Sequence, residues 1–102
     1  RDFKGLIEDR FQEWHKVKEY ARAINVTPKH LSQTIKDITG KVAKGHIQDR
    51  LVLEAKRLLW HTDMSVKEVG YAIGFAEPLH FSSFFKRQTG QSPSIFRQQK
   101  VS

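Results

Sequence analysis

Cysteine is absent from the 102 residues, which removes disulfides, a thiolate nucleophile and a thiolate zinc site together. The core must therefore rest on apolar packing alone, which suits a reducing compartment. No apolar run approaches the roughly 20 residues needed to cross a bilayer, and the N-terminus lacks the charged-then-apolar order of a signal peptide. A soluble, cytoplasmic chain with no membrane partner is expected. The five histidines, His15, His30, His46, His61 and His80, show no HxxxH or HExxH pairing, so no metal site is expected. No carboxylate pair for acid-base work, no nucleophile with its base and no phosphate-cradling glycine loop is found. Neither an enzyme nor a cofactor follows from such a chain. Strand-period segments, hairpin signals, linkers and low-complexity runs are missing too. At this length the chain holds one domain, or two very small subdomains that lean on a shared element.

Acidic residues are outnumbered, 11 against 18 Lys and Arg, for a net charge of +7. The excess is concentrated. Residues 28 to 48 hold Lys29, Lys36, Lys41 and Lys44 against Asp37, and residues 78 to 102 hold Lys86, Arg87, Arg97 and Lys100 with no acid. The remainder is balanced, ten basic against ten acidic. An even solubilising coat would not leave two stretches with the whole excess, whereas two surfaces meeting one polyanion would.

Those stretches are the second halves of an internal repeat. Val17 to Val26 matches Val66 to Phe75 at an offset of 49, with five of ten residues identical. After one inserted residue the offset becomes 50, and Leu31-Ser32 and Ile35 to Gly40 correspond to Phe81-Ser82 and Phe85 to Gly90. Each copy reads as helix, tight turn, helix. Val17, Tyr20, Ala21 and Ile24, like Val66, Val69, Gly70 and Ile73, form one helical stripe. Ser65 with Glu68 is a capping box. Asn25 and Gly74, just past the stripes, are the residue types that most readily turn through the left-handed region. Thr27-Pro28 reads as an N-cap followed by proline at the first helical position, Glu77-Pro78 as a weaker version, and both second helices stop at a Thr-Gly pair.

Phe3, Ile7, Phe11 and Trp14 predict a further helix at the N-terminus, and Ser92-Pro93 starts a short last one with Ile95 and Phe96. Residues 43 to 61 place Ile47, Leu51, Ala55, Leu58 and Leu59 on one side of a helix, with Arg50 and Glu54 outside; at 1.5 Å per residue it would be about 27 Å long. The expected fold is all-α with about seven helices. A first helix-turn-helix subdomain covers 1–42, a connector helix 43–61 and a second subdomain 62–102.

Ala55-Lys56-Arg57-Leu58-Leu59, Gly74-Phe75, Phe81-Ser82-Ser83-Phe84-Phe85-Lys86, Thr89-Gly90 and Pro93-Ser94-Ile95-Phe96-Arg97 follow one another. With them the sequence resembles the C-terminal domain of the AraC/XylS family of transcriptional regulators over nearly the whole chain. The resemblance implies a homeodomain-like pair of helix-turn-helix subdomains joined by a long helix, each with its second helix in the major groove of double-stranded DNA. It also implies a bacterial transcription factor, of which this chain is the DNA-binding fragment. An N-terminal effector-binding or regulatory region would precede it, although short stand-alone members exist, and RNA polymerase is a further partner. Gly70 stands where the family most often has alanine, which weakens that helix by roughly 1 kcal/mol. Ser83 replaces an arginine frequent at that point of the second reading helix, so less direct base reading is expected of the second unit.

In the first reading helix Leu31, Ile35 and Ile38 should face inward, leaving Lys29, His30, Ser32, Gln33, Lys36 and Asp37 outward. By analogy with the family, Lys29, Ser32 and Gln33 point to base edges and Lys36 to phosphate; Gln33 can pair with adenine and Lys29 can donate to guanine. In the second, Phe81, Phe84 and Phe85 are core, Pro78, Leu79, His80, Ser82 and Ser83 are the outward candidates, and Lys86 and Arg87 face the backbone. Leu79 is either a staple to its neighbour or a contact for a thymine methyl. His46, Trp14 and Trp60 are assigned to the core. The alternative is a basic helical protein-interaction module. For DNA, the expectation is a monomer on an asymmetric site with two footprints in successive major grooves, about 10 base pairs apart.

Overall fold

The computed structural model describes residues 2–100. Arg1, Val101 and Ser102, the outer ends of the first and last expected segments, lie outside the described residues. These form seven helices and no strand: α1 (Phe3–Arg10), α2 (Val17–Ala23), α3 (Pro28–Thr39), α4 (Ala43–His61), α5 (Val66–Ala72), α6 (Pro78–Thr89) and α7 (Pro93–Gln98). Two compact units divide within α4, residues 1–51 and 52–102.

In the first unit α1 is shorter than its stripe. Phe3, Ile7 and Phe11 are buried, but the helix ends at Arg10, whose carbonyl accepts from the N–H groups of both Glu13 and Trp14 (2.9 and 2.8 Å). Trp14 therefore lies past the helix and is half-buried rather than core. The Tyr20 hydroxyl donates to its carbonyl at 2.9 Å, and the two rings meet edge to face at 5.3 Å. Tyr20 is fully buried, and burial, then the nearby Glu19 charge, pushes its pKa up to about 12. Ala21, Leu31, Ala43, Ile47 and Leu51 complete this core. His46 is also half-buried, edge-on to Phe3 and with Nε2 2.8 Å from the Thr39 hydroxyl.

The second unit buries Ala55, Leu58, Leu59, Val69, Ile73, Phe81, Phe84, Phe85 and Phe96. Phe85 lies between Phe81 and Phe96, at 6.0 and 5.5 Å between centroids. Trp60 stacks on Phe96 at 4.8 Å and donates its indole N–H to the Phe96 carbonyl at 3.1 Å, leaving the ring half-exposed rather than core. The expected outward position of Glu54 is also corrected. It is 8% exposed, and its carboxylate takes two hydrogen bonds from Arg57, three residues on, at 2.9 and 2.7 Å. Burying an acid in this way is tolerable because the guanidinium satisfies both oxygens. Arg50 reaches the other way, to Glu8 at 2.6 Å and over the Phe11 ring at 4.1 Å.

Gly70 has a packing reason. A Cβ there would meet the Phe81 Cβ at 3.0 Å and its ring at 3.1 Å, and Phe81 is fully buried. The first unit has Ala21 and Leu31 at the equivalent places, a larger residue facing a smaller one. Gly70→Ala should lower stability by about 1 kcal/mol, because overpacking of roughly 1–3 outweighs a helix-propensity gain of about 1. Chemical denaturation of the double variant Gly70→Ala, Phe81→Leu checks this. It should lose less than the two separate losses combined, and strict additivity would show that the two residues do not compete for space.

Candidate nucleic-acid interface

The turn between α2 and α3 is made by Asn25, whose φ of 60° makes it the only non-glycine residue with positive φ among the described residues. Thr27 caps α3 by accepting from the His30 N–H at 3.1 Å, and Pro28 takes the first helical position, where its missing N–H has no partner to lose. α3 ends at Gly40, φ 82°. Thr39 assists: its hydroxyl lies 2.8 Å from the Ile35 carbonyl and accepts from the Lys41 N–H at 3.2 Å.

Leu31 is buried and Ile35 half-buried, so the opposite side of α3 meets solvent. Lys29, His30, Gln33 and Lys36 are exposed and Ser32 is half-buried. Lys29, Ser32, Gln33 and Lys36 recur at i, i+3, i+4 and i+7, one helical stripe. Gln33 Nε2 donates to the Asp37 carboxylate at 2.8 Å. The inward placement of Ile38 is wrong: it is 76% exposed. Its counterpart Gln88 is exposed too, so the repeat itself marks this position as surface.

Gly74, φ 98°, makes the equivalent turn in the second unit. The capping box of α5 is complete: the Ser65 N–H donates to the Glu68 carboxylate at 2.8 Å and the Glu68 N–H to Ser65 Oγ at 3.0 Å, and hydrogen bonding to the carboxylate from the Ser65 backbone, then from its hydroxyl, holds the Glu68 carboxyl below its ordinary pKa. α6 starts at Pro78 without a side-chain cap from Glu77. Phe81, Phe84 and Phe85 are buried as expected, while Leu79, His80, Ser83, Lys86 and Arg87 are exposed and Pro78 and Ser82 are half-buried. Leu79 is 78% exposed, so it is not a packed staple. α6 ends at Gly90, φ 83°, with Thr89 repeating the bonds of Thr39, to the Phe85 carbonyl at 2.9 Å and from the Gln91 N–H at 3.2 Å.

Two features were not read from the sequence. An open cleft of about 690 Å³ at the first turn is lined by Lys18, Arg22, Asn25, Val26, Thr27, Pro28 and His30, which gives the start of α3 a basic rim. The only signal was the spacing of Lys18 and Arg22 at i, i+4. Three cations of the two basic stretches also have partners within the chain, two of them on its surface. Lys41 bonds Asp49 at 2.5 Å, Arg97 Nε donates to the Leu59 carbonyl at 2.8 Å, and Lys100 donates to the Trp60 carbonyl. Lys29, Lys36, Lys44, Lys86 and Arg87 have no such side-chain partner among the described residues. The stretches therefore present fewer free charges than their composition suggests.

Among the described residues no helix is long and apolar enough to cross a membrane, and no group of three His, Cys, Asp or Glu could hold a metal ion.

Residues 20–99 match the family described as "Helix-turn-helix domain". Among curated relatives, the HTH-type transcriptional activator RhaS of Enterobacter sp. (strain 638) is 32% identical over 92 residues, 90% of this chain and 33% of that protein. The chain spans a quarter to a third of the length of the curated relatives it matches first. A transcriptional regulator of Chromobacterium violaceum, described as having an AraC-type DNA-binding domain, superimposes with a TM-score of 0.79 at 26% identity, over 95% of this chain and 87% of that one. The DNA-binding domain of AdpA, solved in complex with a target DNA, has a TM-score of 0.79 at 28% identity, over 93% of this chain and 85% of that one. With its paired turns, second helices that start at proline and end at a left-handed glycine, and match over residues 20–99, the chain belongs to the AraC-type helix-turn-helix family, a family of transcriptional regulators rather than enzymes.

Proposed function

We propose that this chain binds double-stranded DNA sequence-specifically to regulate transcription, with α3 and α6 as its two reading helices. The observation that carries this is the repeated left-handed turn at Asn25 and Gly74, each followed by a helix with a buried apolar side and a free, basic, polar side. A helix so mounted fits the major groove, where base edges show a distinct pattern for each pair. On α3, Lys29, Ser32 and Gln33 face base edges and Lys36 a phosphate, with His30 beside the cleft. On α6, Lys86 and Arg87 face the phosphate backbone. Pro78, Leu79, His80, Ser82 and Ser83 meet the groove, the exposed Leu79 against a thymine methyl. Because α6 has no long amide or lysine where α3 has Gln33 and Lys29, its footprint should accept more sequences, through methyl groups, shape or backbone.

The same reading has a monomer on an asymmetric site, with footprints in successive major grooves about 10 base pairs apart. It rests on covalent linkage of two unequal readers by a 19-residue helix, which makes dimerisation and a palindrome unnecessary. A regulatory region and RNA polymerase are partners of the longer regulator in this reading.

Selection of sites from random duplexes tests it, followed by three variants. Gln33→Ala and Lys29→Ala should each relax preference at particular base pairs by about 1–3 kcal/mol, while Lys36→Ala should weaken all sequences alike. Altered base preference in Lys36→Ala together with none in Gln33→Ala would show that α3 is rotated differently in the groove. Failure to enrich any duplex would favour an acidic protein as the partner.

A further inference from the structure

Asp37 is the only acid on α3 or α6, and it stands one turn from Gln33 on the exposed side of a helix that, on the reading above, approaches a polyanion. A carboxylate there repels phosphate and lowers affinity for every sequence. Its structural bond is to the Gln33 amide, Nε2 to Oδ1 at 2.8 Å. We propose that Asp37 is a positioning residue that fixes the orientation of the Gln33 amide and thereby determines which base this position selects. The inference rests on α3 being a reading helix.

The chemistry is that of an amide with two N–H groups and one oxygen beside an acceptor-only carboxylate. Asp37 can only accept, so it holds the nitrogen of Gln33 toward itself and the oxygen away. One N–H is used by the carboxylate, leaving the oxygen and the other N–H side by side. That acceptor-donor pair complements adenine, which offers an N6–H donor and the N7 acceptor in the major groove. Without the carboxylate, rotation about the terminal torsion exchanges oxygen and nitrogen, since such torsions are broad and twofold. The freed amino group can then donate to the N7 and O6 acceptors of guanine. In water an i, i+4 amide-carboxylate bond holds weakly, but water leaves the groove on binding and the bond strengthens in the lower dielectric.

The repeat supplies an independent comparison. At the offset of 50, Gln33 corresponds to Ser83 and Asp37 to Arg87. Where the long amide is absent the carboxylate is absent too, and a cation suited to phosphate takes its place. The acid therefore goes with the amide and not with the helix.

The test measures relative affinities of the 102-residue chain for four duplexes that differ only at the base pair where Gln33→Ala abolishes preference. Asp37→Ala should bind all four more tightly than the parent, yet lose about fivefold or more of its adenine preference. Asp37→Asn removes the charge and can donate as well as accept, so it satisfies either orientation of the Gln33 amide and should likewise gain general affinity and lose adenine preference. A purely electrostatic role would move both variants equally and leave base preference untouched. An Asp37→Ala variant with the parent's preference would overturn the proposal and leave the α3 reading intact. A Gln33→Ala variant with unchanged preference would overturn the α3 reading, and this proposal with it. Both substitutions of Asp37 are at an exposed helix position, and a melting curve beside each titration confirms the fold.

Discussion

Phe85→Ala should destabilise the second unit by about 3–5 kcal/mol, the usual loss for a fully buried phenylalanine. The side chain has no exposed surface and joins Phe81 to Phe96, which in turn stacks on Trp60. Truncation leaves a void under three rings, on a helix whose neighbours are fixed by backbone and side-chain bonds. A domain of this size has a total stability of about 5–15 kcal/mol, so the loss is a large share of what residues 52–102 have. Ile35, its counterpart in the first copy, is only half-buried, and Ile35→Ala should cost about 1–2 kcal/mol. Urea unfolding of both variants gives the comparison, and near-equal losses would contradict the inequality of the two cores. On a selected duplex, Phe85→Ala should erase protection under α6 while the base preference set by Gln33 persists.

That inequality also explains what could be read from the residues and what could not. Turns, caps and stops were legible because each depends on one or two residue types with a local requirement: Asn25 and Gly74 for positive φ, Ser65 with Glu68 for reciprocal capping, glycine at 40 and 90 for termination. All seven helices followed from such local signals and from 3.6-residue stripes. Periodicity gives direction but not depth. Ile38 lies on the stripe of Leu31 and is still 76% exposed. Trp14 continues the stripe of α1 although the chain has already left the helix. Glu54 fell on the wrong side for the opposite reason, since its burial depends on a bidentate partner, Arg57, that spacing alone does not single out. On the candidate interface Lys29, His30, Gln33, Lys36, Leu79, His80, Ser83, Lys86 and Arg87 are exposed, whereas Ser32, Pro78 and Ser82 are half-buried. The Gln33 to Asp37 bond was not foreseen, because two outward polar residues at i, i+4 are common on any solvated helix.

Raising salt from about 50 to 200 mM should weaken binding of the chain to its selected duplex by about 500-fold to 5,000-fold, the second large effect. The two reading stretches hold eight cations against Asp37 alone, but Lys41, Arg97 and Lys100 have partners within the chain. Five remain free: Lys29, Lys36, Lys44, Lys86 and Arg87. Each phosphate neutralised releases counterions and contributes about 0.9 to the slope of log affinity against log salt. Five contacts give about −4.5, and occupation of the basic cleft by Lys18 and Arg22 would bring it to about −6. Lys36→Ala and Arg87→Ala should each lower the slope by about one, with no change in sequence preference. Gln33→Ala should leave the slope unchanged, since an uncharged amide releases no ion. Lys100→Ala is the discriminating control: its ammonium already serves the Trp60 carbonyl, so its removal should alter melting temperature more than slope. Fluorescence anisotropy over a salt series on one duplex measures all four variants. A slope near zero would mean that these cations do not meet the duplex backbone. A loss of about one unit in Lys100→Ala would mean that the bond to Trp60 gives way to phosphate.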